Sequence, residues 1–287
     1  MATDGNYQLD VLVPAHNHLE QTMKCLIALY KHTANSFHLI VVDDSTDGLT
    51  PLYIEQLRKD HSNVTYFHSD YQFRNSYEFI NIGLSECMTP YIALVVNSVQ
   101  VEPGWDSAGL HLLQTTPDVG IVGCKTITMT GEIESAGILI SGNGAVIRDI
   151  GAHQPSHRLS QVYEVPATAF ALIIAKVEAL QGTMDSCPYN GFKGWEEFDT
   201  CFQVRQNGWK ILYCGLGVGY HQPYSTRDDK SSEGQRLNAE NREILAKRWG
   251  MWEAYHKAYS HIGELRPDIQ VREISLPQIP TSEIKEN

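Results

Sequence analysis

The chain has 287 residues, which suits one sizeable domain or one domain with an appendage. With 42% hydrophobic residues it can build a core, which argues against global disorder. Its formal charge of 22 − 34 = −12 gives no electrostatic footprint for nucleic acid or an anionic membrane surface, although a local basic pocket could still take phosphates.

No apolar run approaches the roughly 18 residues of a membrane-spanning helix, and MATDGNYQLD lacks the charged and apolar regions of a signal peptide. The expectation is a cytoplasmic protein without a transmembrane segment. The six cysteines are scattered with no C-x-x-C, so they read as small core residues rather than zinc ligands or disulfides.

In chain order, Leu9–Val13 is a short apolar run ended by Pro14, and Leu19–Lys31 has helical spacing. Phe37–Val42 is a second strand, running into DDSTDG. Pro51–His61 reads as a helix, Val64–His68 as a strand, Ser76–Cys87 as a helix and Tyr91–Val96 as a fourth strand. Apolar strands alternating with helices indicate an α/β protein with a parallel sheet covered on both faces, whose ligands bind outside the carboxyl ends of the strands. Polar clusters fall at those ends: His16-Asn17, Asp43-Asp44, Arg74-Asn75 and Asn97-Ser98.

Trp105–Thr115 is expected to be a helix, Val119–Lys125 a strand, and Glu132–Ile147 a set of glycine-broken hairpins. Gly151–Ser160 reads as a mobile loop, Val165–Ile174 as a strand and Lys176–Gln181 as a short helix. Gly194–Asn207 has helical spacing and stops at Gly208; Lys210–Tyr213 and Val218–His221 are two short strands. After Pro223 the composition changes. Tyr224–Gly234 reads as a flexible loop, Gln235–Trp249 and Met251–Ser260 as helices, and the segment from Pro267 as a loose tail. The division is therefore 1–225 for the main domain and 226–287 for a helical extension and tail.

Four clusters carry chemistry, each beside a plainer reading. In DDSTDG, Asp43 and Asp44 can accept hydrogen bonds from ribose or a base, or cap a helix and make a turn. VLVPAHN ends a strand in a loop that suits an anion or simply turns. In GFKGWEEFDTCFQVRQNGW, Glu196, Glu197 and Asp199 open a helix, where the dipole favours acids; one of them beside the wall of Trp195 and Phe192 can serve as a general base. His221 closes a short strand and is either structural or a metal ligand.

The ordered succession is more specific than any member. VLVPAHN, VVDDSTDG, the N-x-G of Asn81 to Gly83, Tyr91–Asn97 followed by VEPGW, GFKGWEEFDTCFQVRQNGW, the terminal His221 and NREILAKRW resemble the family 2 glycosyltransferases from Leu9 to Trp249. A dinucleotide-binding enzyme is disfavoured, since no G-x-G-x-x-G follows the first strand. The resemblance implies a GT-A fold, Rossmann-like, with a mainly parallel central sheet, flanking helices and the C-terminal helical extension. It implies inverting transfer of a hexose or deoxyhexose from a nucleotide-sugar, UDP- or dTDP-linked by preference, to a glycan hydroxyl. Pro14, His16, Asn17, Asp43, Asp44, Arg74, Asn75, Asn97 and Ser98 then belong to the donor side. Glu197 matches the usual base, Asp199 the family's other common acid, and Trp195 and Glu196 the acceptor side. A divalent metal, Mn2+ or Mg2+, would draw on His221 and Asp44. A homo-oligomer contact through the C-terminal helices is compatible with this.

One departure stands out. Many relatives read N-x-D-x-x-V-x-P-G-W where this chain reads NSVQVEPGW. The simplest alignment deletes one residue, the aspartate, and leaves Val99, which cannot ligate a metal. The alternative reading is therefore a catalytically impaired nucleotide- or glycan-binding protein on the same fold.

Overall fold

The structure is a computed structural model that describes residues 6–140, 147–191, 194–222 and 231–249. The expected helix Met251–Ser260, the tail from Pro267 and most of Tyr224–Gly234 lie outside them.

Alternation begins as expected. Strand β1 (Leu9–Ala15) is followed by α1 (Leu19–His32), β2 (Phe37–Asp43), α2 (Leu49–Asp60), β3 (Val64–His68), α3 (Ser76–Ser85) and β4 (Tyr91–Val95). These strands pair in parallel in the order β3-β2-β1-β4. β1 and β2 are buried on both faces, which is why they read as unbroken apolar runs rather than alternating ones. β1 runs two residues further than its sequence suggests, through Pro14. The register with β4 ends at Leu12↔Leu94 while that with β2 continues to Ala15↔Asp43, so a missing N–H at Pro14 breaks no ladder toward β4.

Past β4 the sheet becomes mixed. β5 (Val99–Val101) leads through the PGW turn to α4 (Ser107–Thr115). Gly104 takes a φ of 71° there, and Trp105 is wholly buried with its indole N–H donated to Thr33 Oγ1 at 3.1 Å. β6 (Val119–Thr128), β7 (Ile133–Ser135), β8 (Ile138–Ile140), β9 (Ile147–Asp149), β10 (Val162–Glu164), β11 (Leu172–Lys176), α5 (Val177–Leu180), α6 (Trp195–Gln206), β12 (Lys210–His221) and α7 (Ser232–Arg248) complete the described chain. β11 inserts antiparallel between β4 and β6, so the sheet is parallel only in its first half and around β6 and β12. The order β10-β12-β6-β11-β4-β1-β2-β3 has helices on both faces, with two apolar clusters flanking it.

Three segments differ from expectation. Val165–Ile174 is not one strand: β10 ends at Glu164, and β11 starts only at Leu172 and runs to Lys176. The two short strands of residues 210–221 are one strand, β12, with an irregular register between Cys214 and Val218. Gly151–Ser160 is pinned rather than mobile. Buried Lys125 donates to Ser156 O at 2.9 Å, Arg158 O at 3.0 Å and Ser160 Oγ at 3.3 Å, and the Tyr213 hydroxyl donates to Leu159 O at 2.7 Å. Burial lowers the pKa of Lys125, and three oxygen acceptors compensate for its lost hydration. Composition shows the polarity of this loop but not the cation beneath it.

Helix α7 lies beyond the 225/226 division yet joins the second apolar cluster. Leu245 is fully buried, and the Asn241 amide brackets Asn190, accepting from its N–H at 3.1 Å and donating to its carbonyl at 2.8 Å.

Close packing of β12 on the pinned segment gives a test. A Cβ at Gly215 would lie 2.0 Å from Leu159 O and 2.7 Å from Ser160 Cα. Gly215→Ala is expected to lower unfolding free energy by about 1–3 kcal/mol in urea titration. An unchanged midpoint would show that residues 151–160 move aside without cost.

Candidate active site

β1 turns out to β2 on one side and has β4, reached later in the chain, on the other. Beyond Leu12 and Leu94 these two strands part, at the topological switch point where such sheets bind ligands. A cavity of about 620 Å³ opens there, a size that suits a small-molecule ligand. It is lined by Pro14, His16 and Asp44 from the first two strands, Asn97 and Ser98 from the end of β4, and Glu196 and Glu197 from α6; His221 closes it.

The expected donor residues divide into two groups. His16 and Asp44 face the cavity together. Asp44 Oδ1 lies 2.7 Å from His16 Nδ1, and its Oδ2 accepts the Phe73 N–H at 2.7 Å. Asp44 thus acts on the cavity with His16 beside it. Arg74 lies on the rim, strongly exposed and ion-paired with Glu78 at 2.6 Å. Asn97 lines the wall while its amide donates to Thr22 Oγ1 at 3.0 Å, tying the end of β4 to α1.

Asp43, Asn17 and Asn75 are not among the lining residues. Asp43 is buried, accepting from Ser45 N at 2.8 Å and the Tyr66 hydroxyl at 2.7 Å, with His68 Nδ1 at 3.1 Å. It organises the loop rather than a ligand. Asn17, with φ 53°, staples the loops after β1 and β2, its Oδ1 accepting from Thr46 N at 2.8 Å and Asp47 N at 3.0 Å. Asn75 is buried at the N-cap of α3, and Ser76, which does line the cavity, follows it. Among the described residues neither Asn75 Oδ1 nor Ser76 Oγ has a hydrogen-bond partner, so the start of α3 offers polar capacity to a ligand.

The acids of α6 also separate. Gly194 at φ 81° makes the turn into the helix and aims its first residues at the cavity. Glu196 is buried against the cavity wall. Glu197 lines it, with Oε2 accepting the Phe170 N–H at 2.9 Å. Asp199 lies one helical step away and is fully buried outside the lining. It takes the Trp249 indole N–H and Arg248 Nε (3.0 Å) on Oδ1, and the Tyr77 hydroxyl (3.3 Å) and Gln203 amide (3.1 Å) on Oδ2. Burial raises its pKa, and the surrounding donors and Arg248 oppose that. The second expected catalytic acid is therefore a buried clamp joining α3, α6 and α7. Trp195 is likewise turned from the cavity, its indole N–H donated to Asn238 Oδ1 of α7 at 2.6 Å.

The missing aspartate also resolves differently. Val99 is not at the site: it is fully buried on β5 and pairs with His221 across β12. Ser98 lines the cavity instead. Counted back from Pro103, the pattern's valine falls on Val101 and its aspartate on Ser98. The divalent ion that a GT-A fold implies finds no complete cage. Among the described residues no three His, Cys, Asp or Glu side chains are grouped to hold one. Asp44 is engaged with His16, and His221 with Glu134, whose Oε2 lies 2.7 Å from Nδ1. Sequence reading missed Glu134 because an isolated glutamate between Ile133 and Ser135 of a short strand carries no motif. Yet the lining suits a cation brought in by a ligand. Asp44, Glu134, Asp149, Glu196 and Glu197 all contribute to it, and its one arginine is already paired.

Residues 10–136 match the family model described as Glycosyl transferase family 2. This stretch, less than half of the chain, is similar to the family 2 glycosyltransferases, and the fold of the chain is GT-A. Its structure is similar to that of GalNAc-T7 with UDP, GalNAc and Mn2+, with a TM-score of 0.65 at 14% identity over 88% of this chain and 50% of that one. It is also similar to the mannosyltransferase PcManGT from Pyrobaculum calidifontis in complex with GDP-Man and Mn2+, with a TM-score of 0.56 at 16% identity over 91% of this chain and 71% of that one. A curated relative, the uncharacterized protein y4gI of Sinorhizobium fredii (strain NBRC 101917 / NGR234), is 25% identical over 271 residues, 90% of this chain. The chain spans 29% of that relative's length. Among the described residues no helix is long and apolar enough to cross a membrane.

Two predictions follow from this geometry. Asp199→Ala is expected to cost about 2–4 kcal/mol in urea unfolding, because it strips several donors and Arg248 of one buried acceptor; a loss under about 0.5 kcal/mol would be that of an ordinary surface site. The Asp44 hydrogen bond raises the His16 pKa above its ordinary 6.5, with burial opposing and the charges of Asp44, Asp43 and Asp47 assisting. A raised folded pKa adds stability that is present below 6.5 and fades as pH rises through the folded value. In an NMR titration Asp44→Asn is expected to lower the His16 midpoint; an unmoved midpoint would break the pairing.

Proposed function

We propose that this protein transfers a sugar, a hexose or deoxyhexose, from a nucleotide-sugar donor to a hydroxyl of a glycan acceptor, with inversion at the anomeric carbon. The observation that carries this reading is the position of Glu197. Its carboxylate stands at the mouth of α6 and is oriented by the Phe170 N–H. It lines the same cavity as the ends of β1 and β4, where His16, Asp44 and Ser76 present polar groups. A carboxylate base and polar groups for a nucleotide in one cavity are what a single in-line displacement requires.

In this reading the acceptor hydroxyl gives its proton to Glu197 as its oxygen forms a bond to the anomeric carbon. The bond from that carbon to the diphosphate breaks, and its electron pair leaves with the phosphate oxygen. A divalent ion, when bound, supplies positive charge for the leaving diphosphate. UDP- or dTDP-sugars are the preferred donors in this proposal. The two similar solved structures hold UDP with GalNAc and GDP-Man, each with Mn2+, so nucleotide-sugar chemistry is consistent with the fold, and the base is open to assay.

A second reading is favoured by one observation, the serine where the family pattern has aspartate: a nucleotide- or glycan-binding protein with impaired transfer. The two readings differ in one experiment. Glu197→Gln keeps an oxygen to accept the Phe170 N–H but cannot take a proton, so it is expected to cut transfer by about 100-fold or more with nucleotide affinity nearly intact. Equal turnover of wild type and variant removes Glu197 from the role of base. Absence of turnover in wild type, with nucleotide binding retained, supports the binding-protein reading.

A further inference from the structure

Glu134 belongs to no motif, yet it holds the histidine that closes the cavity. On β7 its neighbours Ile133 and Ser135 are buried, and Glu134 lines the cavity from the other face of the strand. Its Oε2 lies 2.7 Å from His221 Nδ1, with the two side chains 26% and 15% exposed. A carboxylate can only accept here, so Nδ1 carries the hydrogen and Nε2 of the neutral ring carries the lone pair. The backbone places this residue at the end of β12, paired with β5. His221 pairs in register with Val99, and the next residue, Gln222, donates its N–H to Ser98 O at 3.0 Å. His221 and Ser98 thus come from adjoining backbone and line the same cavity, and Ser98 is where the family pattern, counted back from Pro103, has its aspartate.

We propose that Glu134 is a positioning residue that makes up for this loss. By holding Nδ1, it presents His221 Nε2 to a divalent cation carried in with a nucleoside diphosphate. The inference rests on the donor-binding reading above. Two further observations favour it. The described lining holds five carboxylates against one arginine that is already paired with Glu78, so a diphosphate needs countercharge to enter. Among the described residues no three potential ligands are grouped, so a divalent cation held at His221 would take the rest of its coordination from phosphate oxygens of the ligand. A carboxylate behind a ligating imidazole fixes its tautomer and raises its basicity.

The test is calorimetric titration of the full chain with UDP, GDP and dTDP, each with and without Mn2+. One of them is expected to bind wild type more tightly with Mn2+. Glu134→Ala is expected to weaken the Mn2+-dependent binding by roughly 10–100-fold, while metal-free affinity does not fall and rises to the extent that one repelling carboxylate has gone. Glu134→Gln, whose amide oxygen still accepts from Nδ1, should keep most of the gain. His221→Ala should abolish it, and adding Glu134→Ala to that variant should change nothing more. Thermal unfolding without ligand checks that each variant is folded. If Glu134→Ala unfolds, Glu134→Met fills the space without accepting a hydrogen bond and carries the same expectation. A full Mn2+ gain in Glu134→Ala, or an equal loss when it is added to His221→Ala, overturns the proposal. Wild-type binding that ignores Mn2+ overturns it and leaves the donor-binding reading standing; no binding of any of the three overturns both.

Discussion

Everything at the site depends on the parting of β1 from β4. The two strands pair over Asp10–Leu12 and Ile92–Leu94 and then separate, while β1 stays joined to β2 as far as Ala15. A parallel sheet can open in this way only where neighbouring strands are connected in opposite directions, and the opening exposes backbone and side chains at the carboxyl ends. Pro14 sits at the point of separation, where a residue without an N–H costs no hydrogen bond toward β4. The end of β4 is held back by Asn97 through Thr22 of α1, and the far wall is the start of α6. One topological feature thus sets which residues meet.

The walls of that opening are kept rigid by buried polar groups that do not themselves face it. Asp43 gathers Ser45, Tyr66 and His68 at the end of β2, and Asn17 ties the two loops above it. Asp199 does the same on the other side, joining α3, α6 and the end of α7 through one carboxylate. Burying such a group costs free energy unless its hydrogen bonds are met, and here several donors meet each one. The gain is placement: Asp44 stands next to Asp43, and Glu197 stands two residues before Asp199, each beside a buried acid that does not line the cavity.

This division explains what could be read from the sequence. Alternation of apolar runs and helical spacing placed β1 to β4 and their helices within a few residues, because fully buried strands leave an unbroken apolar signal. The site clusters were legible as clusters, since polar residues at strand ends in a parallel sheet face either a ligand or the loops that shape its pocket. Which of two adjacent acids does which was not legible. Asp43 and Asp44 differ by one residue and point to opposite environments, and only the positions of Tyr66 and Phe73, far along the chain, decide between them. Val99 was misplaced for a related reason. Aligned forward from Asn97 it takes the aspartate position; aligned back from Pro103 Ser98 does, and strand pairing with His221 favours the second.

Glu134 shows a limit of another kind. Its partner His221 lies 87 residues away, and the contact exists only because β7 and β12 flank β6 on opposite sides. A loss at the end of β4 can be offset by a residue on a strand that no local pattern links to it, provided the sheet brings both to one wall. The cavity's acidity then acquires a role. Five carboxylates around a diphosphate would repel it, but around a diphosphate that carries a divalent cation they contribute attraction at short range in a poorly screened space. On the proposed reading, the charges that would disfavour a bare nucleotide would favour its metal complex, and selectivity for the complex would need no complete set of protein ligands, only one imidazole held at a fixed angle and a lining of the right sign.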